Sequence, residues 1–178
     1  MMSLCRSRRS AAVVCAVGLL LTPAAQAVTC TGTATLVIVS PLSVAEQTQA
    51  HFGAITPPTF GEQTYSLSAI TGRVTSGDEA DGEVMDASGR AGVFLIHGVA
   101  NLAVTVTARI QPFDAGSITV DSTEIFARNA HALGGGSLEA NLDGAGGLSV
   151  QIGGVIRVSP GEPEGWQSAQ VTLTVVYQ

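Results

Sequence analysis

Leu102-Ala103-Val104-Thr105-Val106-Thr107-Ala108-Arg109-Ile110 is the stretch on which the fold class turns. Leu102, Val104, Val106, Ala108 and Ile110 share one face, and Ala103, Thr105, Thr107 and Arg109 the other. A strict period of 2, with β-branched polar residues on the second face, predicts a half-buried strand. Just before it, Val93-Phe94-Leu95-Ile96 is apolar on both sides, the pattern of a buried central strand. Ile118-Thr119-Val120 and Ile125-Phe126 follow downstream as two further strand segments. Leu138, Ala140 and Leu142 alternate with Glu139 and Asn141, and Leu148, Val150 and Ile152 with Ser149 and Gln151. Ala169, Val171, Leu173, Val175 and Tyr177 alternate with Gln170, Thr172 and Thr174. Upstream, residues 64–75 are rich in Thr, Tyr, Ile and Val and read as one strand, while 76–91 read as a long exposed hairpin or loop. Gly134-Gly135-Gly136, Gly144-Ala145-Gly146-Gly147 and Gly153-Gly154 read as turns.

Short strands separated by turn signals every 8–12 residues or so predict an all-β sandwich or barrel. The mixture of two-sided and one-sided apolar strands favours an antiparallel, immunoglobulin-like sandwich. No stretch after residue 27 carries a sustained 3.6-residue apolar period.

The first 27 residues differ from all of this. Arg6, Arg8 and Arg9 precede the apolar run Ala11–Leu21, and Thr22-Pro23 breaks it before Ala25-Gln26-Ala27. Basic, apolar and small-x-small zones in that order predict a helical signal peptide cleaved after Ala27. The apolar run is too short for a membrane span, which needs about 20 residues. Residues 28–178 then form one domain, expected to be exported, with the periplasm in transit and then the cell surface or the extracellular space as its destination. Cleavage removes three of the eight arginines and none of the 14 acids from a chain without Lys, leaving a net charge of −9. Such a surface repels nucleic acid and anionic lipid, so neither partner is expected.

Motifs for chemistry are sparse. Without Lys there is no phosphate-loop lysine, no Schiff base and no Ser-x-x-Lys nucleophile, and no Gly-x-Ser-x-Gly elbow occurs. His51, His97 and His131 lie 46 and 34 residues apart without a His-x-His pair, a poor spacing for a shared metal. His97 reads as a strand-end residue with a satisfied hydrogen bond. Asp78, Glu79, Asp81, Glu83 and Asp86 surround Gly82, but Gly77 and Ser88 stand where a calcium loop needs its first Asp and last Glu. A solvated hairpin tip is the reading this favours. No enzyme activity and no metal or cofactor is expected. Trp166, beside the Gly165 turn, is the lone aromatic candidate for stacking on a ligand, and a monomeric adhesin or carbohydrate-binding module is the alternative it supports. Cys30 has no partner after cleavage and reads as a terminal thiol or an intermolecular bridge.

Residues 33–39 alternate, with Ala34, Leu36 and Ile38 on one face, and precede Pro41, which marks an edge strand or a strand end. Two readings stand for them: an ordinary first strand, or a strand given to a neighbouring subunit.

Several pieces together resemble a bacterial family of exported, fimbria-like β-domains of unknown function. They are Pro41-Leu42-Ser43-Val44, Phe52-Gly53-Ala54-Ile55, Phe94-Leu95-Ile96-His97-Gly98 leading into Leu102–Ile110, Ile118-Thr119-Val120-Asp121, Ile152-Gly153-Gly154-Val155-Ile156-Arg157-Val158, and Val171-Thr172-Leu173-Thr174-Val175-Val176-Tyr177. Where that family usually carries Gly-x-Tyr-Ser-Gly, this chain reads Gly165-Trp166-Gln167-Ser168-Ala169. The chain is in turn similar to chaperone–usher pilins. That resemblance implies a structural subunit that polymerises by strand addition with copies of itself or homologous subunits, with a periplasmic chaperone and an usher as partners. It supplies no catalytic residues.

Overall fold

The computed structural model describes residues 40–86, 88–113, 116–128, 130–162 and 164–178. The expected signal peptide, Cys30 and the candidate donor residues Ala34, Leu36 and Ile38 lie outside them. The described residues hold ten strands: β1 (Ser43–Thr48), β2 (Gln63–Leu67), β3 (Val74–Ser76), β4 (Gly92–His97), β5 (Ala103–Ile110), β6 (Ile118–Ala127), β7 (Ala130–Ala132), β8 (Ser137–Asn141), β9 (Gly147–Val158) and β10 (Val171–Tyr177). They form two antiparallel sheets, one of seven strands and one of three in the order β10-β5-β8. No helix among the described residues is long and apolar enough to cross a membrane.

The twelve residues of β9 organise the larger sheet. On one side its first half pairs with β4 and its second half with β2, while β6 runs along the other side. β1 flanks β4, β3 flanks β2 and β7 flanks β6. Phe94, Ile96, Ile125, Leu148, Val150 and Ile152 of this sheet pack against Val104, Val106, Ala108 and Leu138 of the smaller one, the alternation read in the sequence. A second cluster of Tyr65, Ile118, Ile156 and Val158 lies around the other half of β9.

Three expectations need correction. Gly153-Gly154 is not a turn: β9 runs straight through it. A Cβ at Gly153 would collide with the carbonyl of Leu67 and sit 2.6 Å from the Ala69 nitrogen, and one at Gly154 would sit 2.6 Å from the Ser122 carbonyl. The pair is there because neighbouring backbone passes too close for any side chain. Residues 118–120 and 125–126 are not separate strands but parts of β6, bent by a register shift between Val120 and Ser122. Residues 64–75 fold back as a β2–β3 hairpin, turned at Gly72, whose φ of +68° suits glycine. The first described strand starts after Pro41 and covers Ser43–Thr48.

The acidic loop is exposed, as expected, but it is also tethered. Two antiparallel bridges tie it down, His51 to Arg90 and Ile55 to Val84. Gln63, fully buried, donates through Nε2 to the Gly77 carbonyl at 2.7 Å and accepts the Ala80 N–H at 3.0 Å. Tyr65 Oη donates to the Thr56 carbonyl, and burial, with Asp81 and Glu83 nearby, pushes its pKa up. Asp81 accepts from the Thr59 hydroxyl and N–H, and Asp86 from Ser88 and Ala54; these bonds hold both carboxyls below the usual aspartate range. The loop acids therefore close a strap over the second cluster.

Candidate functional site

β10 is seven residues long, carries no charge and no proline, and pairs only with β5 among the described residues. Its register sets Val171 against Ile110, Leu173 against Ala108, Val175 against Val106 and Tyr177 against Val104, so these four side chains face the core. Each is only half-buried. The Gln111 N–H donates to the Gln170 carbonyl at 2.7 Å and the Gln178 N–H to the Ala103 carbonyl at 3.1 Å. By the alternation of an antiparallel ladder, the even-numbered residues of β10 bond to β5. Val171, Leu173, Val175 and Tyr177 consequently turn their N–H and C=O groups to the outer edge, where none has a partner among the described residues. The same four residues thus offer apolar side chains inward and unpaired backbone outward.

β1 forms the facing wall. Val44 pairs with Ile96 and Glu46 with Phe94, which puts both on the core side of their sheet, yet Val44 is 42% exposed. The two walls meet at both ends. Tyr177 Oη donates to the Ser40 carbonyl at 3.0 Å, just before β1, and accepts the Val99 N–H at 2.8 Å. At the far end the His51 ring, just after β1, lies 5.8 Å from the Trp166 ring, just before β10. Between these ends Leu42, Val171, Leu173 and Val175 are half-buried against the core and Val44 is exposed, an apolar seam that no other described residue covers.

The other edges are defended. β1 is preceded by Pro41, contains Glu46 and shifts register between Glu46 and Thr48; β3 has three residues; β8 has five and carries Glu139. Short strands, charges and irregularities are the usual protections of a sheet edge, and β10 has none of them.

Trp166 is 90% exposed and lies tilted beside the His51 ring at the end of the seam. His97 ends β4, as expected, with an exposed side chain. His131 is bound to Glu124, and His51 Nδ1 accepts the Gly53 N–H. The three histidines are not brought together, and among the described residues no three metal-ligating side chains cluster.

Sequence reading missed a second feature, on the outer face of the larger sheet. A cavity of about 510 Å³ lies there, lined by Leu95, His97, Phe126, Arg128, Asp143 and Ser149 among others. The signal was present in the two-sided apolar run 93–96: Val93 and Leu95 point outward and are half-buried rather than enclosed.

These features define a two-sheet, all-β sandwich with one seam left open beside an unprotected edge strand. Residues 42–177 match the family model described as a domain of unknown function (DUF4402), and the chain belongs to that family. No curated protein and no solved structure matches it.

Proposed function

We propose that this protein is an exported, non-enzymatic assembly subunit of a surface fibre or coat, a pilin-like sandwich that polymerises by strand addition at β10. The observation that carries the reading is the coincidence, on Val171, Leu173, Val175 and Tyr177, of half-buried core-facing side chains with a backbone edge that has no partner among the described residues. An added strand would pair with that backbone and bury its own alternate side chains between β10 and β1, which is the general logic of strand augmentation. The donor we assign is residues 33–39 of a second copy, with Ala34, Leu36 and Ile38 entering the seam. Each such burial is worth roughly 1.5–3 kcal/mol.

A strand supplied by a second copy is free to run antiparallel to β10, the slightly more stable arrangement. Release of a form beginning at Val28, read by intact mass, would expose the donor next to the new N-terminus. A chaperone and an usher fit the reading as transit partners.

The test is the double variant Leu36→Asp with Ile38→Asp, assayed for oligomers that resist SDS. Two unpaired carboxylates in an apolar seam are strongly unfavourable, so assembly should fail while the domain still folds around the wild-type peptide 28–39. Assembly like wild type would overturn the proposal. So would a wild-type monomer whose residues 33–39 are protected from hydrogen exchange, since that means self-pairing.

A further inference from the structure

The outer face of the larger sheet carries a trough whose shape follows from register. On β9 the outward positions are Gly147, Ser149 and Gln151, which give a low polar floor. His97 stands opposite Gly147 and Leu95 opposite Ser149 on the β4 side, and Phe126 stands opposite Gln151 on the β6 side. Tall side chains therefore rise on both sides of a floor of small and polar ones. The turn between β8 and β9 closes one end, where Asp143 accepts the N–H groups of Ala145 and Gly147 at 2.9 and 2.7 Å. Arg128 meets Asp143 at 3.2 Å.

Arg128 also has a φ of +53°. Left-handed backbone is disfavoured for a residue with a Cβ, and glycine or asparagine would occupy that tight β6–β7 reversal with less strain. A strained residue whose side chain sits on the rim of a cavity is a pointer to function. The volume, about 510 Å³, falls within the usual range for small-ligand sites, roughly 300–1,000 Å³.

We propose that this trough binds a neutral saccharide residue. A pyranose has apolar C–H faces and hydroxyl edges, and the trough offers the complement: Leu95 and Phe126 as walls, and Ser149, Gln151, Asp143 and Arg128 as hydrogen-bonding groups. Because Arg128 is already paired with Asp143, the site has no net positive charge to select a phosphate or an acidic sugar. Its polar floor disfavours a purely apolar ligand, since the Ser149 and Gln151 groups would lose water without replacement. The site lies on the face of the sheet opposite the core, so strand addition at β10 would leave it open. It does not depend on the assembly reading.

The experiment is a titration of the full-length protein, as recovered after expression, with the methyl glycosides of glucose, galactose and mannose, followed by amide shifts in two-dimensional NMR. At least one glycoside should move the amides of Leu95, Ser149 and Gln151. Ser149→Phe, which fills the trough from an exposed strand position, should abolish those shifts without lowering the melting temperature. Arg128→Gly, which relieves the left-handed backbone, should weaken binding at least tenfold while leaving the melting temperature equal or higher. Trp166→Ala should change nothing. The proposal falls if no glycoside moves the trough, if shifts survive Ser149→Phe, if Arg128→Gly binds like wild type, or if the shifts centre on Trp166.

Discussion

The two halves of β9 sit over two apolar clusters that are finished in opposite ways. Around Tyr65, Ile118, Ile156 and Val158 the chain closes its own core with the strap of residues 51–62 and 77–90, pinned by Gln63, Tyr65, Asp81 and Asp86. Around Phe94, Ile96 and Val106 it builds a second sheet but leaves the side between β1 and β10 half-covered. Both regions hold a tyrosine hydroxyl against a carbonyl of an incoming segment, Tyr65 to Thr56 and Tyr177 to Ser40. The difference lies in what covers the apolar surface between the anchor points. In one case it is loop that packs Phe52, Ile55 and Val84 inward and is held by many local bonds, and in the other nothing among the described residues. A closed cluster is a matter of stability alone; an open seam beside an unprotected edge is a place for another chain.

The sharpest way to break this contrast is by proline at neighbouring positions of β10. Thr174 directs its N–H to β5 and Val175 directs its own outward. Thr174→Pro should destabilise the domain by about 1–3 kcal/mol, because the Thr107 carbonyl loses its donor. Val175→Pro removes no internal bond, and proline is tolerated on the open side of an edge strand. It should lower the melting temperature much less than Thr174→Pro, through lost packing alone, yet abolish oligomers on SDS gels. Equal melting losses for both variants would mean that the edge assignment is wrong.

A smaller effect separates the two tyrosines. Tyr65 is fully buried, so Tyr65→Phe leaves the Thr56 carbonyl unpaired in the strap and should cost about 1–3 kcal/mol. Tyr177 is half-buried, water can replace its hydroxyl, and Tyr177→Phe should cost only about 0.5–1.5 kcal/mol. Urea denaturation of the two variants compares them. A larger loss at Tyr177 would make the seam, not the strap, the better-sealed region.

The gentlest probe is acid. Asp81 and Asp86 are held below the ordinary aspartate value of 3.8, first by Thr59 and Ser88 respectively. A depressed carboxyl contributes stability that is present above its unfolded pKa and lost as pH falls through its folded pKa. Hydrogen exchange at Thr59 and Ser88 should therefore quicken as pH drops below 3.8, corrected for intrinsic rates, while β10, which carries no carboxylate, holds its protection. Uniform loss across both regions would show that the strap is not held by these acids.

Strand content was legible wherever one face of a strand is buried and the other wet, because period 2 then shows directly in residue types. Leu102–Ile110 and Val171–Tyr177 are such cases. Reading failed at Gly153-Gly154, where glycine usually signals a turn but here marks a backbone crossing that only the packed β2 and β6 create. It failed for the strap too: an aspartate on a solvated tip and one capping a distant Thr59 N–H look the same in sequence.

By itself, then, the sequence determined the all-β class, the inward faces of the long strands and the poverty of chemical motifs, since these depend on local alternation and composition. Tertiary structure alone decided which edge stays open, because pairing partners lie far apart along the chain. It also decided that Leu95, Phe126, Arg128 and Asp143, drawn from β4, β6, the β6–β7 turn and the β8–β9 turn, would meet around one trough, because register across β9 sets their strands side by side.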